Sequence, residues 1–308
     1  MINIALILHP PLGDSRSTLT NFCRFSGLGF GISLTPSVLI IESYFYDRCR
    51  FAGSIVTSGI SVGTFAFPVA MYELERSIGL KNLCLVLAAA CATVSGVALM
   101  LRPASDVTQR RRDFVTMFRP VLFKSIAFNS LLLSNFVWSV GMAIVYTYLP
   151  AYVIATGHMT FMDAAILIAI SGLCAFLSRM FFVIFSQSAK LDNCSTFLCT
   201  VVLTGIMTGL FPEMFKHKAG GIGYALVLGL HCGYFSTYVG SITEELIGPE
   251  YLGQGKGYVI LSIGLGLLIG PPIAGYTFDK TEDLKIAFYL GGKLYLECIN
   301  SKELCMCL

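Results

Sequence analysis

Residues Ala164–Ser186 read AAILIAISGLCAFLSRMFFVIFS, an almost wholly apolar run with one arginine, Arg179, inside it. A membrane-crossing helix takes about 20 apolar residues, so the run is long enough to span a bilayer. Arg179 lies roughly eight residues, or about 12 Å, from its C-terminal end at 1.5 Å rise per residue. An arginine at that depth costs on the order of 3 kcal/mol or more, and such residues usually face a protein interior or a watery cavity. Its guanidinium keeps its charge and offers a planar fork of donors that matches a carboxylate. Two readings stand side by side. In one, Arg179 reads an anion in a cavity; in the other, its long stem snorkels to the nearer interface.

Outward from this segment the whole chain has the same character. Of 308 residues, 55% are hydrophobic and 13% are charged, against roughly 25% charged in soluble domains. About eight apolar segments follow one another: Phe25–Ile41, Phe51–Tyr72, Leu83–Leu101, Ser125–Thr147 (running on to Pro150), the Arg179 segment, Cys194–Phe211, Ala219–Thr243 and Tyr258–Phe278. Ala287–Gly292 resembles the start of another, but Lys293, Glu297 and Lys302 interrupt it after too few apolar residues to span. The expected fold class is therefore all-α, a polytopic membrane protein.

Charge gives the orientation. The longest polar connection, Arg102–Lys124, carries Arg110, Arg111 and Arg112 in a row. If it is cytoplasmic, alternation also places Arg48, Arg50, Lys190 and Lys256 on that side, and only Arg76, Lys81, Lys216 and Lys218 opposite. The basic residues do not gather on one soluble face, so nothing points to nucleic acid. The eleven cysteines show no CxxC or Cys/His spacing for a metal, and most sit in apolar runs as small hydrophobes. No Ser/His/Asp or paired-carboxylate constellation suggests an enzyme, and no cofactor motif is present. Gly27, Gly29 and Gly31 lie within a membrane segment, where no strand precedes them to make a nucleotide fingerprint.

His231 is the other ionisable residue near mid-membrane. It is either a neutral histidine bonded to a carbonyl or a hydroxyl, or a proton-carrying or substrate-binding group. Ser236 and Thr237 follow it on the same segment and either line a path or bond back to their own helix.

Several motifs, in order, resemble the monocarboxylate transporter family of the major facilitator superfamily. They are Gly27–Gly31 with Pro36, Tyr44-Phe45-Tyr46-Asp47-Arg48-Cys49-Arg50-Phe51-Ala52-Gly53 followed by Gly59, Gly63 and Pro68, and Leu101-Arg102-Pro103. Tyr148-Leu149-Pro150-Ala151-Tyr152 and Gly270-Pro271-Pro272-Ile273-Ala274-Gly275, with Asp279, Thr281 and Ala287-Phe288-Tyr289, continue the match. The resemblance implies helices four to eleven of a twelve-helix, two-bundle fold. Residues 1–22 would be an atypical N-terminus, 23–101 a partial N-terminal bundle of three helices, and 102–124 the cytoplasmic linker. Residues 125–292 would form five helices and the start of a sixth, and 293–308 a divergent tail. The chain would then be an incomplete fold, a splice form or a partial gene product.

By the same resemblance the function is carriage of monocarboxylates or related small organic anions by alternating access. Arg179 matches the eighth-helix arginine that pairs the substrate carboxylate, and Arg48 a basic residue of the signature. Asp47 stands where the family usually has lysine, and Ala175 where proton-coupled members have aspartate. Proton coupling stays open, with His231, Arg48 and Asp47 as coupling or gating candidates and Arg179, Ser236 and Thr237 as substrate contacts. The alternative is a non-transporting paralogue that acts as an interaction protein or is inactive. Implied surroundings are the lipid bilayer, the plasma membrane and, as in some family members, a single-pass escort glycoprotein. The C-terminal Cys305-Met306-Cys307-Leu308 formally fits a prenylation box, though poorly.

Overall fold

The computed structural model describes residues 49–98, 120–156, 160–185, 193–215, 218–248 and 251–297. The expected span Phe25–Ile41, the candidates Asp47 and Arg48, the triple arginine and the terminal cysteines lie outside these residues. Within them the regular structure is helical throughout: α1 Cys49–Ala98, a 3-10 turn Pro120–Lys124, α2 Ile126–Ala155, α3 Phe161–Phe185, α4 Asn193–Met214, α5 Lys218–Ile247, α6 Leu252–Thr281 and α7 Lys285–Glu297. Five stretches are long and apolar enough to cross a membrane: Phe51–Gly79, Ile126–Ala155, Phe161–Phe181, Lys218–Ile247 and Leu252–Thr281. Their outward faces are apolar, with Leu133, Leu177, Leu261 and Leu268 all exposed, as a lipid-facing surface requires.

Local chemistry sets the helix limits. Two helices meet within α1 at Gly79, whose φ of 77° and ψ of 162° are open to glycine and strained for other residues. Ser125 caps α2, its hydroxyl accepting from the Phe128 N–H at 3.3 Å. Pro150 and Pro212 lie inside α2 and α4, and the Tyr152 hydroxyl donates to the Pro212 carbonyl at 3.3 Å, tying the two helices together. At its far end α6 stops at Glu282 in the left-handed conformation, φ 56°.

Small residues bring the helices together. Gly229 and Gly233 of α5 pack directly on the Ser171 and Ala175 carbonyls of α3, while Ser178 Oγ donates to the Leu230 carbonyl at 2.8 Å. The contacts advance together along both helices, so α3 and α5 run parallel. The same geometry pairs α2 with α6. Gly266 meets Ser139 and the Phe136 carbonyl, Gly270 meets Ala143 and the Val140 carbonyl, and Ser262 Oγ donates to the Leu132 carbonyl at 2.6 Å. Small side chains in membrane helices permit this close backbone approach.

The last described helix is 13 residues long and is not among the membrane-length stretches, in keeping with an apolar run interrupted at Lys293. Helix α7 runs through it to Glu297 because Lys293 points outward and pairs with Glu297 one turn on, at 3.6 Å. Its other face presents Gly291, Gly292 and Tyr295 inward, and Gly292 lies against the Gly205 carbonyl and Gly209 backbone of α4. Between α2, α4, α5 and α7, Tyr152, Phe211, Phe215, Tyr224 and Phe288 form an aromatic core, with Phe211 4.4 Å from Tyr224 and 4.8 Å from Phe288 between ring centroids.

Candidate functional site

Among the described residues, α1, α2, α3, α5 and α6 line a mostly apolar cavity of about 670 Å³ with a few polar side chains in its wall. Its first wall is a seam between α1 and α3. A Cβ on Gly172 would fall within 2.7 Å of the Thr64 carbonyl carbon, and Arg179 Nη1 donates to the Thr57 carbonyl. Seven residues forward on α3 thus correspond to seven back on α1, and the helices are antiparallel. This register sets Thr57, Ser61, Thr64 and Pro68 opposite Arg179, Ala175, Gly172 and Ile168, and all eight line the cavity. Spacings of four and three residues keep each set on one helix face.

The α1 face is a stripe of hydroxyls: Ser54, Thr57, Ser61 and Thr64. Thr57 Oγ1 donates to the Gly53 carbonyl at 2.9 Å and Thr64 Oγ1 to the Ile60 carbonyl at 2.9 Å. Each hydroxyl so engaged still has lone pairs to offer. Sequence reading did not single out this stripe, although polar residues repeating at helical spacing inside an apolar segment were the available signal.

Arg179 is 3% exposed and lies in the cavity wall, so its guanidinium does not snorkel to the helix end. The bond to the Thr57 carbonyl is one of its contacts. Toward the end of α5 and the start of α6, Glu244 and Lys256 also line the cavity, giving it one acidic and one further basic side chain among the described residues.

The opposite wall is aromatic. Trp138 of α2 stacks on Phe235 of α5, 3.5 Å between centroids and 10° from parallel, and both border the cavity. Below them the Tyr146 hydroxyl and Cys232 Sγ, also lining, lie 3.7 Å apart. His231 is fully buried behind this wall and does not line it; its Nε2 is 2.7 Å from Trp138 Nε1, and its Nδ1 3.4 Å from Thr200 Oγ1. Thr237 does line the cavity, and its hydroxyl bonds back to the Gly233 carbonyl at 3.4 Å. Ser236 is on the same helix, with its side chain outside those described, as are Asp47 and Arg48. The structure therefore brings Arg179 and Thr237 to one cavity and sets His231 one layer behind it. Trp138 and Phe235 were not anticipated, because an aromatic residue within an apolar run reads first as core.

Comparisons with known proteins agree with this architecture. The zebrafish (Danio rerio) monocarboxylate transporter 10 is 27% identical over 280 residues, covering 86% of this chain and 54% of the relative. Its human (Homo sapiens) counterpart is 25% identical over 286 residues with the same coverage. Monocarboxylate transporter 12 of Xenopus laevis is 22% identical over 333 residues, covering 96% of this chain and 72% of the relative. The chain thus spans about half the length of the transporter 10 relatives. A crystal structure of the Escherichia coli fucose:proton symporter FucP superposes with a TM-score of 0.61 at 14% identity, over 88% of this chain and 72% of that one, a likeness of fold. Residues 15–271 match the profile of the Major Facilitator Superfamily. With apolar membrane-length helices, a shared bundle fold and a family match over most of its length, this chain is a multi-pass membrane protein of the major facilitator superfamily.

Proposed function

We propose that the protein carries a small organic monocarboxylate across the plasma membrane by alternating access. The observation that carries this reading is the buried guanidinium of Arg179 in the wall of a cavity large enough for a small molecule. A charged group is costly at this depth, and a carboxylate ligand would offset the cost through charge-assisted, bidentate hydrogen bonds. The relatives named monocarboxylate transporters support the choice of anion.

Mechanism follows from the seam. Helix α1 precedes the linker and α3 follows it, so the bond from Arg179 to Thr57 joins the two parts of the chain that would rock against each other. A carboxylate entering the cavity competes with the Thr57 carbonyl for the same donors. Binding thereby loosens one contact across the seam and favours the opposite-facing state. The hydroxyl stripe of α1 and Thr237 of α5 supply further polar contacts to the anion. His231 accepts a hydrogen bond from an indole N–H, which suits a fixed neutral group more than a proton carrier. Arg48 and Asp47 keep a gating role within the same proposal.

The test is uptake of labelled carboxylates by cells expressing the chain, with and without an escort glycoprotein. Arg179→Ala is expected to lower uptake about 10- to 100-fold at equal surface abundance, since hydrogen bonds to charged groups are worth about 1.5–3 kcal/mol. Arg179→Lys keeps the charge but not the fork and should recover only part of it. Unchanged uptake in Arg179→Ala would refute the anion-binding role. No uptake by the unaltered chain at the cell surface would refute transport and leave the interaction-protein alternative.

A further inference from the structure

We infer that His231 is a positioning residue that sets the shape of the substrate cavity, and so its selectivity, through Trp138. The inference rests on the transport reading for its effect on selectivity, and on geometry alone for the positioning itself. The indole N–H is a donor only, so at 2.7 Å the imidazole Nε2 must be the acceptor. The ring proton then sits on Nδ1, directed at Thr200 Oγ1 of α4, 3.4 Å away. From α7, the Tyr295 ring meets the imidazole edge-on, 5.8 Å between centroids and 87° apart. His231 is thus held by α4 and α7, none of whose described side chains lines the cavity, and it holds in turn an indole that does.

Trp138 is fixed from two directions. Phe235 lies flat against its face, and His231 takes its polar edge. Without the acceptor, a buried indole N–H would be left unsatisfied in an apolar wall, and the ring would turn to find a partner. Such a turn changes the outline of the cavity while leaving Arg179, which reads the carboxylate, in place. The body of the anion, and not its charge, is what this wall would discriminate.

The chain contains a single tryptophan, so intrinsic tryptophan fluorescence reports this one side chain. The experiment uses the full chain, reconstituted in lipid nanodiscs for fluorescence and expressed in cells for uptake. The variants are His231→Leu, His231→Gln, Trp138→Phe and the double variant Trp138→Phe/His231→Leu. Glutamine places an amide oxygen near the position of Nε2 and restores an acceptor. In His231→Leu, the emission maximum and acrylamide quenching should shift from those of the unaltered chain. KM for carboxylates with bulkier bodies should change about three- to tenfold relative to the smallest one, the range of one hydrogen bond's net worth. His231→Gln should restore both readouts, and in the Trp138→Phe background His231→Leu should have no further effect on KM.

Equal spectra for His231→Leu and the unaltered chain would overturn the positioning. So would a His231→Leu effect on KM that is undiminished in the Trp138→Phe background. If His231→Leu does not fold, a His231→Gln spectrum unlike that of the unaltered chain would overturn it as well. Absence of uptake by the unaltered chain strikes the transport reading and the selectivity effect together, while the fluorescence arm still reads the contact between His231 and Trp138.

Discussion

Thr57 contributes to the cavity twice, through its backbone carbonyl and its hydroxyl, and the two can be separated. The carbonyl accepts from Arg179 and survives any substitution of the side chain. The hydroxyl bonds to the Gly53 carbonyl within its own helix, so removing it breaks no contact between helices. Thr57→Val should therefore leave thermal stability unchanged and raise KM about two- to tenfold, the worth of one hydrogen bond to substrate. Uptake kinetics alongside a melting curve check both halves; a large loss of stability would show that the hydroxyl has a structural role. At this scale Arg179 was readable from sequence because a charge in an apolar segment demands a reason. His231 was visible for the same reason, but its partner was not: Trp138 lies 93 residues away along the chain. Choosing between an indole, a carbonyl and a proton path required knowing which helix packs beside it.

Between elements, close packing at glycine is expected to outweigh single hydrogen bonds. Gly172 has the backbone of Thr64 and Phe65 where a Cβ would go, and backbone cannot turn aside as a flexible side chain can. Gly172→Leu should destabilise the protein by about 1–3 kcal/mol or more through overpacking and abolish uptake. Ser262→Ala removes the 2.6 Å bond to the Leu132 carbonyl and should cost only about 0.6 kcal/mol, the average for hydrogen bonds between membrane helices. Melting temperatures of the two variants in detergent give the comparison, and a larger loss for Ser262→Ala would reverse the ranking. The helices themselves were largely evident from apolar runs; α2, α3, α5 and α6 overlap nearly all of the expected spans and extend them at one or both ends. Helix α7 is the exception. Its mixed composition reads as an interrupted segment, with Lys293 facing outward, and only the docking of Gly291 and Gly292 on α2 and α4 makes the other face buried.

For the molecule as a whole, the directions of the helices follow the alternation that the basic residues require. Helices α3 and α5 are parallel, α2 and α6 are parallel, and α1 runs against α3. Which side faces the cytoplasm is a prediction. In a chain freed of reactive cysteines, Val121→Cys at the end of the linker should react with an impermeant maleimide only after permeabilisation. Ser77→Cys beside the Gly79 break should react in intact cells; both positions are exposed. Reversed labelling would invert the proposed orientation. The sequence alone determined that the protein is a helical membrane protein, where most of its helices lie and that an arginine falls inside an apolar segment. These follow from composition and local periodicity, because a bilayer forces every backbone polar group to bond within its own segment. Tertiary structure alone decided which faces meet. The hydroxyl stripe of α1 opposite Arg179, and the Trp138 wall backed by His231, depend on helix rotation and register, and these are set by where glycines let distant backbones touch.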